Sequence, residues 1–486
     1  MPGWVQAIEL RQLKKKICFR ADASGQIGFG HFIRSLALAD MLKDDFDCVF
    51  YTAEPSDYQI QELRRVCSFI SLSEKTKYDD FLSYLDGSEI VVLDNYFYTT
   101  EYQKQIKEKG CKLVCIDDMH DKHYVADVVI NHAYGCRKED YSVEPYTQLC
   151  LGLNYALLRK PFLDLNIKRN NSQNRLLICY GGVDVYNLTC KTIQSLGDVI
   201  KNYQVEVIVG AAFSARDELA KLAIKNKNIH VHTALSAEEM SRLMQESQVA
   251  FLSASSVLWE AIFCGCKIIY GYYIDNQMDI CQNVGNNSSL GLSYVGDLRE
   301  ATSDNLKTAF LKSVDFGKKV VFKKSDVRSH FVDLFNSEVT IREATIDDAK
   351  LYFEWANDPV VRQMAFHSEP ILWDNHLSWY KKKLESNNAL LLLCYKNKIT
   401  VGQVRFDILH EGDAEIDISI DKKYRCKGLG KSMLKAAIAY ASNMRGIQRF
   451  VSEVKDENVA SKRMFISVGF NIVKVSNDIC FFRFCI

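Results

Sequence analysis

The stretch that decides the fold of the amino-terminal region is Phe19-Arg-Ala-Asp-Ala-Ser-Gly-Gln-Ile-Gly-Phe-Gly-His-Phe-Ile-Arg34. Alternating apolar residues around its start predict a buried strand: Ile17, Phe19 and Ala21. A turn follows, and its glycines let backbone N–H groups approach a ligand without a Cβ in the way: Gly25, Gly28 and Gly30. The next helix points the positive end of its dipole at the same place, so the stretch predicts a diphosphate site.

His31 lies where this turn becomes the helix, and a histidine there can face a phosphorylated ligand. The following residues form one apolar stripe: Ile33, Leu36, Ala37 and Met41. Arg34 and Ser35 fall with His31 on another side of the helix. A helix cap beside a surface histidine is the alternative interpretation for a lone Gly-x-Gly motif. The polar residues concentrated where burial favours apolar ones support the ligand site instead.

The composition is that of an ordinary globular protein. The chain has 486 residues, of which 48% are hydrophobic and 25% charged, and this length predicts about three domains. Sixty-one basic residues balance 61 acidic ones, so we expect neither a nucleic-acid partner nor binding to a membrane. The 6 prolines argue against long disordered linkers.

The cysteines and the amino terminus indicate a cytoplasmic protein. The 16 cysteines are scattered without Cys-x-x-Cys pairs, which predicts reduced thiols and no metal site. Residues 1–16 end in Lys14-Lys15-Lys16 and lack the apolar core of a signal peptide, so we interpret them as an extension or a misplaced start. Apolar runs are too short for a transmembrane helix.

Short apolar runs alternate with helical patterns over the first two thirds of the chain and predict an α/β fold with parallel sheets. We place one Rossmann-like domain at 17–166 and a second at 174–320, with the polar linker Asn166-Ile-Lys-Arg-Asn-Asn-Ser-Gln173 between them. The predicted strands of the first are Ile17–Ala21, Cys48–Tyr51, Ile90–Leu93, Leu113–Ile116 and Val128–Ile130. Those of the second are Leu176–Tyr180, Val205–Val209, Ile229–His232, Val249–Ser253 and Lys267–Gly271.

The pattern decays between Lys312 and Ser337, and a third domain of α+β type is predicted over 339–486. Its first third is helical, and a Gly-rich turn leads into a long helix later in the domain. The predicted strands before that turn are Leu390–Tyr395, Val401–Phe406 and Ala414–Ile420, and a further strand pair runs to the terminus.

Polar clusters follow several of the predicted strands. They are Asp94-Asn95-Tyr96, Asp117-Asp118, Gly181-Gly182-Val183-Asp184, Ser253-Ala-Ser-Ser with Glu260, and Tyr273-Ile-Asp-Asn-Gln277. Singly, each is explained by helix capping or turn chemistry. Asn187 is predicted one turn into a helix, and Glu260 within the first turns of another. Together they lie on the carboxyl side of the sheets, where open α/β folds bind ligands.

These ordered motifs carry a resemblance over 17–300 to the UDP-2,4-diacetamido-2,4,6-trideoxy-β-L-altropyranose hydrolases of pseudaminic acid biosynthesis. The resemblance implies a nucleotide-sugar glycosyltransferase-like pair of Rossmann domains and release of UDP from the anomeric carbon. The motifs are Phe19-Arg-x-Asp-x-Ser-x-x-Ile-Gly-x-Gly-His-x-x-Arg34, Asp94-x-Tyr96, Gly181-Gly182-x-Asp184-x-x-Asn187, Ser253-Ala-Ser-Ser256 with Glu260, and Asn276-Gln277. Asp275 departs from the lysine of the family pattern, which alters phosphate contact but keeps Asn276.

The resemblance implies three catalytic residues: His31, Tyr96 and Asn276. The nucleotide-binding residues it implies lie in the glycine turns and in the segment 255–260: Gly28, Gly30, Gly182, Ser255, Ser256 and Glu260. The chemistry agrees, because loop amides and helix starts can hold the leaving diphosphate without a metal. His31 can orient or deprotonate the attacking water, and Glu260 can accept hydrogen bonds from ribose hydroxyls.

Tyr424-Arg-Cys-Lys-Gly-Leu-Gly-Lys431 between a strand and a helix, with Asn458 about thirty residues later, resembles the GNAT acetyltransferase superfamily over 339–486. The resemblance implies acetyl-CoA as co-substrate, bound by Arg425, Lys427, Gly428, Gly430, Lys431, Asn458 and Ser461. Phe465 occupies the place of the tyrosine that often serves as general acid, so that role has no predicted residue. Glu415 or Asp417 could deprotonate the amine, or both could be solvated strand carboxylates.

One chain would then carry two consecutive steps, N-acetylation of a UDP-4-amino sugar and hydrolysis of the acetylated product. The implied partners are a UDP-sugar and acetyl-CoA. Two alternatives stay open at this point. A glycosyltransferase could use the same cleft with a sugar or lipid acceptor, fused to an acetyltransferase of unrelated substrate. A nucleotide-sugar sensor without activity is the other, and His31, Tyr96 and Asn276 together argue against it.

Overall fold

The structure is a computed structural model that describes residues 14–24, 28–163, 174–182, 184–210, 213–233, 235–287, 290–315, 327–409 and 413–486. The chain divides into two compact units. The first comprises 1–81, 131–140 and 151–327, and the second comprises 82–130, 141–150 and 328–486. The predicted linker 166–173 and Gly25 lie outside the described residues. The division into three domains stays a prediction.

Strands and helices alternate in residues 14–163, which confirms the predicted α/β class. The strands are β1 (Lys16–Ala21), β2 (Asp47–Ala53), β3 (Ser68–Leu72), β4 (Ile90–Asp94), β5 (Lys112–Ile116), β6 (His123–Tyr124), β7 (Val128–Asn131), β8 (Ser142–Val143) and β9 (Gln148–Leu151). The helices are α1 (Gly30–Leu42), α2 (Asp57–Val66), α3 (Lys77–Ser83), α4 (Thr100–Glu108) and α5 (Lys160–Leu163). In the first unit β2 pairs in parallel with β1 and with β3. In the second unit β5 pairs in parallel with β4 and with β7.

Residues 174–315 of the first unit form a six-stranded parallel sheet in the order β12-β11-β10-β13-β14-β15. The strands are β10 (Arg175–Cys179), β11 (Gln204–Val209), β12 (Ile229–Thr233), β13 (Val249–Ser253), β14 (Lys267–Tyr272) and β15 (Leu292–Asp297). The helices are α6 (Leu188–Leu196), α7 (Arg216–Lys225), α8 (Ala237–Glu246), α9 (Ser256–Phe263), α10 (Met278–Val284) and α11 (Ser303–Asp315). The chain leaves β10 toward β11 and returns to β13 on the other side, so the strand order reverses there. Open α/β sheets bind ligands at such a reversal.

The last part of the second unit folds around a seven-stranded sheet in the order β16-β17-β18-β19-β20-β22-β21. The strands are β16 (Thr340–Glu343), β17 (Ala389–Lys396), β18 (Ile399–Ile408), β19 (Asp413–Ile420), β20 (Arg449–Lys455), β21 (Asn471–Ser476) and β22 (Ile479–Cys485). The helices are α12 (Val327–Asn336), α13 (Ala349–Ala356), α14 (Pro359–Met364), α15 (Trp373–Leu384), α16 (Leu429–Arg445) and α17 (Val459–Val468). The pairing is antiparallel except between β19 and β20, which run parallel.

Every strand predicted from the apolar runs is present in the structure. The central strands of the parallel sheets are buried on both faces, so they read as continuous apolar runs: β1, β4, β5, β10 and β13. The edge strands β3 and β12 are partly exposed. The 16 cysteines are all free thiols. None of the helices within the described ranges has the length and apolar character that a bilayer crossing requires.

Candidate functional site

Two loops begin at the carboxyl ends of the neighbouring strands β10 and β13, at the reversal point of the six-stranded sheet. Gly181 and Gly182 follow β10, and Ala254 and Ser255 follow β13 before α9 begins. Ser255 is the N-cap of α9 with an extended backbone, and its side chain makes no capping hydrogen bond among the described residues. A helix start without a side-chain cap offers its N–H groups to an anion. The structure therefore brings three of the predicted nucleotide-binding residues to one edge of the sheet: Gly182, Ser255 and Ser256.

Glu260 lies in α9 behind this helix start and is only 5% exposed. Its Oε1 accepts hydrogen bonds from Nε and Nη2 of Arg159 at 3.0 and 2.8 Å. Its Oε2 is buried and has no hydrogen-bond partner among the described residues. Burial raises the pKa of Glu260, and the charge and hydrogen bonds of Arg159 oppose that rise. Arg159 was missed by the sequence reasoning, because a contact across 101 residues leaves no local pattern.

Gly28 and Gly30 are the described glycines of the predicted turn after β1. Gly28 has a φ of +82°, a left-handed conformation that favours glycine, and its N–H donates to the Ser24 carbonyl at 2.8 Å. A Cβ on Gly28 or Gly30 would meet no described atom within 4 Å. The helix α1 begins at Gly30, and its N-cap residue supplies no side-chain hydrogen bond within the described residues. The turn is thus open to a ligand on the side where a Cβ would lie.

His31 is buried at the start of α1, and its Nδ1 lies 3.1 Å from Nη2 of Arg34. Arg34 is buried as well, although the polar side of α1 had suggested contact with solvent or ligand. An arginine can only donate hydrogen bonds, so Nδ1 is the acceptor in this contact. The catalytic role of His31 stays a prediction.

A buried ionic network supports the end of β1 just before the turn. The Asp22 carboxylate accepts hydrogen bonds from Nη1 and Nη2 of Arg20 and from the N–H of Ala53 at 2.8 Å. It also forms an ion pair with Nζ of Lys77 at 3.1 Å. Burial alone would raise the pKa of Asp22, but the hydrogen bond and charge of Arg20 outweigh it and hold that pKa below its usual range. Lys77 could not have been assigned from the sequence, because it comes from α3.

The second glycine motif mainly builds the start of α6. Asp184 is buried and accepts the N–H groups of Leu188 and Thr189 at 2.8 and 2.9 Å, which is the capping role. Asn187 is the N-cap residue with a φ of +51°, so its predicted place one turn into the helix is wrong. Asp184 rather than Asn187 satisfies the free N–H groups, and the helix therefore begins later than predicted. A Cβ on Gly210 would lie 2.0 Å from the Gly182 carbonyl oxygen, so the two loops pack backbone to backbone.

The two remaining predicted catalytic residues lie in loops. Asn276 lies in a single helical turn, Asp275–Gln277, after β14. The neighbouring Gln277 is buried, and its Oε1 accepts the N–H of Tyr273 at 3.1 Å, which anchors this turn. Tyr96, in the second unit, is exposed after β4, and its carbonyl accepts from Nζ of Lys122 at 2.7 Å. Their catalytic roles stay predictions.

The Gly-rich turn of the last domain caps α16. Gly428 is its N-cap with a φ of +76°, makes no side-chain cap, and has open space within 4 Å of an added Cβ. Gly430 has a different reason for being glycine, because its Cβ would lie 2.8 Å from Sδ of Met464 in α17. Arg425 donates to the Ile420 carbonyl at 3.0 Å and pairs with Asp358 at 2.9 Å, so its guanidinium holds the turn.

The other predicted acetyl-CoA residues surround the same helix starts. Lys427 and Lys431 are exposed beside the turn. Asn458 is the N-cap of α17, and its side chain accepts the N–H of Ser461 at 3.0 Å. Phe465 is buried against Phe470 and Phe482, so the residue at this place belongs to the hydrophobic core. The acetyl-CoA contacts stay predictions.

The two acid–base candidates on β19 differ in their surroundings. Asp417 pairs with Nη1 of Arg405 at 3.1 Å. Glu415 is half-buried, and its pKa is raised by burial and by the neighbouring charges of Glu453 and Asp407. The parallel register of β19 and β20 runs from Asp413 opposite Arg449 to Glu415 opposite Val451, so Glu415 stands where the pairing ends. Glu415 is therefore the better candidate for a proton acceptor.

No group of three or more His, Cys, Asp or Glu side chains in the described ranges is arranged to hold a metal ion. The expectation of metal-independent chemistry stays a prediction.

Different known proteins are similar to the amino-terminal and carboxyl-terminal parts of the chain. Residues 338–471 match the family described as Acetyltransferase (GNAT) domain. The UDP-2,4-diacetamido-2,4,6-trideoxy-β-L-altropyranose hydrolase of Campylobacter jejuni is 28% identical over 271 residues, covering 54% of this chain and 93% of that protein. An uncharacterized protein of Methanocaldococcus jannaschii is 23% identical over 488 residues, covering 95% of this chain and 98% of that protein.

Solved structures also resemble the last third of the chain. The spermidine N-acetyltransferase of Vibrio cholerae, in complex with CoA and spermine, is 20% identical with a TM-score of 0.29, covering 31% of this chain and 96% of that one. The mixed α/β fold with parallel sheets and the matched carboxyl-terminal domain agree with the predicted fold class. The chain thus joins an amino-terminal half similar to a UDP-sugar hydrolase to a carboxyl-terminal GNAT acetyltransferase domain.

Proposed function

We propose that this chain carries out two reactions on one nucleotide sugar. The carboxyl-terminal domain transfers an acetyl group from acetyl-CoA to the amine of a UDP-4-amino sugar. The amino-terminal half hydrolyses the acetylated product, UDP-2,4-diacetamido-2,4,6-trideoxy-β-L-altropyranose, to the free sugar and UDP. The coarser conclusion, an enzyme of nucleotide-sugar biosynthesis with an acetyltransferase domain, follows from the similarity of the two halves.

The buried carboxylate of Glu260 carries the nucleotide part of this proposal. One of its oxygens is bonded to Arg159, and the other is buried without a partner. A buried acceptor without a donor costs free energy, and a hydroxyl of a bound ligand would supply that donor. The side chain lies one turn behind a helix start at the reversal point of a parallel sheet, the region where open α/β sheets bind ligands.

The hydrolytic step needs a stabilised leaving group and a placed water. The open glycine turn and the starts of α1 and α9 provide N–H groups for the departing diphosphate. The oxygen of water attacks the anomeric carbon, the bond from that carbon to the diphosphate oxygen breaks, and UDP leaves. His31, Tyr96 and Asn276 are the residues we assign to this step, with His31 orienting or deprotonating the water.

Mass spectrometry of the purified chain with a UDP-4-amino sugar and acetyl-CoA tests the proposal. We expect one acetyl group to be added first and UDP to appear afterwards with water as the only acceptor. UDP that appears only when a second sugar or a lipid acceptor is present would instead indicate a glycosyltransferase. Binding of UDP without turnover of any nucleotide sugar would indicate a sensor.

A further inference from the structure

The Arg159–Glu260 pair joins two parts of the first unit that lie far apart in sequence. Arg159 precedes α5, and Glu260 lies in α9. Both Nε and Nη2 of the guanidinium donate to the same carboxylate oxygen, at 3.0 and 2.8 Å. The guanidinium also lies 5.0 Å from the centre of the Phe162 ring, and Nη2 lies 3.5 Å from Sδ of Met240. The arginine head is therefore held by an aromatic face, a thioether and one carboxylate oxygen.

This geometry uses one oxygen of Glu260 and leaves the other unused. Oε2 is buried and has no hydrogen-bond partner among the described residues, although the carboxylate has capacity for several donors. A purely structural ion pair of this kind would gain from a bidentate arrangement, in which each oxygen accepts one nitrogen. The observed arrangement instead leaves Oε2 buried without a donor from the described residues.

We propose that Arg159 is a positioning residue that orients Glu260 and favours its carboxylate form, so that Oε2 accepts a hydrogen bond from a ribose hydroxyl of the bound nucleotide. This inference rests on the proposed nucleotide-sugar function and concerns the same site. It makes the ribose contact of Glu260 depend on Arg159, which lies outside the sequence motifs quoted above.

The charges around Glu260 give the physical reason. Within the described residues, the titratable groups that interact with it are Arg159 and the thiol of Cys179 in β10, whose pKa burial raises to about 11. The thiol is thus neutral near pH 7, and among the described residues Arg159 supplies the positive charge that acts on the carboxylate. Burial favours the protonated carboxyl, which is a hydrogen-bond donor and a poorer acceptor. Without Arg159, Glu260 would take up a proton at a higher pH than it does now.

Calorimetric titration of the full chain with UDP and with 2′,3′-dideoxy-UDP tests this, from about pH 6 to about pH 9, a range over which a buried carboxyl can titrate. We expect the natural chain to prefer UDP by about 10- to 100-fold where Glu260 is ionised, the range of a hydrogen bond to a charged group. Arg159→Gln keeps a hydrogen-bonding side chain without the charge, and it should lose the preference at low pH and regain it as the pH rises. Arg159→Lys keeps a charge and should retain most of the preference.

Two controls separate this role from a structural one. Glu260→Gln removes the titrating group, so its preference for UDP should be weak and independent of pH. Arg175→Met breaks two other ion pairs in the same unit, one with Glu206 and one with Glu246. This variant should leave the preference for UDP unchanged. A preference that stays pH-independent and intact in folded Arg159→Gln overturns the inference. Failure of the natural chain to bind UDP at all overturns the proposed function instead.

Discussion

Arg34 follows His31 by one turn of α1, and its Nη2 lies 3.1 Å from Nδ1 of His31. Because the guanidinium can only donate, the imidazole accepts at Nδ1 in this contact, and its ring hydrogen is then on Nε2. An Nε2–H group can donate to a water or to a substrate oxygen, and it cannot take a proton from either. The contact therefore favours His31 as an orienting donor over His31 as a base acting through Nε2.

Substitution of His31 separates these two roles. We expect His31→Ala to lower the rate of UDP release by about 100-fold, a magnitude typical of losing such a group, while acetyl transfer stays intact. His31→Gln keeps an N–H donor and should recover a measurable part of that loss. His230→Ala, which changes an exposed histidine on β12, should release UDP at the normal rate. A glutamine variant as inactive as the alanine variant would favour the base, and a fully active alanine variant would remove His31 from the mechanism.

Hydrolysis should proceed without a metal ion. The side chains of the described residues form no group that could hold one, and the glycine turn with the helix starts offers N–H groups to the diphosphate. We therefore expect the rate of UDP release to be unchanged after treatment with EDTA. Activity that disappears with EDTA and returns on addition of Mg²⁺ would show the expectation to be wrong.

Two glycines at opposite ends of α16 make a matched pair for testing acetyl-CoA binding. Gly428 and Gly446 have φ values of +76° and +66°, and an added Cβ meets open space at both. A side chain at either position costs about 1–2 kcal/mol for the left-handed backbone. Gly428→Trp should lose acetyl-CoA binding in a calorimetric titration, because the indole covers the N–H groups of the helix start. Gly446→Trp carries the same strain and should still bind. Equal loss in both variants would assign the effect to strain alone.

Glu415 should matter more than Asp417 for acetyl transfer. The pKa of Glu415 is raised by burial and by the charges of Glu453 and Asp407, whereas Asp417 is paired with Arg405. We expect Glu415→Gln to lower kcat/KM by about 10- to 100-fold and Asp417→Asn by about threefold or less. The acceptor amine should still set the main rise of rate with pH, since Phe465 cannot donate a proton. A larger loss in Asp417→Asn would exchange the two assignments.

Asp22 should stabilise the first unit in a pH-dependent way. Its pKa is held below the ordinary value, mainly because Arg20 outweighs the effect of burial. The stabilisation is therefore present above the unfolded pKa of about 3.9 and is lost as the pH falls through the lower folded value.

We expect Asp22→Asn to lower the unfolding free energy by about 3 kcal/mol near pH 7, because a buried ion network loses one partner. The difference from the natural chain should shrink on acidification, which urea unfolding at several pH values would measure. Asp198→Asn changes an exposed carboxylate paired with Lys201 and serves as the control with no expected effect. A deficit in Asp22→Asn that is constant with pH would contradict the assignment.

The order of strands and helices could be read from the sequence because it depends on local periodicity. The runs Val249–Ser253 and Leu390–Tyr395 are buried, and the structure shows strands there. The start of α6 was placed too early, because Asp184 and Asn187 are both residues that cap helices. Only the structure shows that the Asp184 carboxylate accepts the hydrogen bonds at this helix start.

The candidate sites divide in the same way. Gly28 and Gly428 could be placed in turns from the sequence because turn chemistry acts over a few residues. Gly430 was assigned to ligand approach, and its contact with Met464 of α17 shows that close packing of two helices also requires a glycine there. That contact joins residues 34 positions apart, so no local pattern could reveal it.

By itself, the sequence determined the α/β class and the places of the glycines before α1 and α16. These depend on backbone conformation and on periodicity, which are local properties. The tertiary structure alone decided which charges meet: Arg159 with Glu260, and Lys77 with Asp22. Such pairs form across long stretches of chain, and their strength depends on burial, because removing water is what makes a charge need a partner.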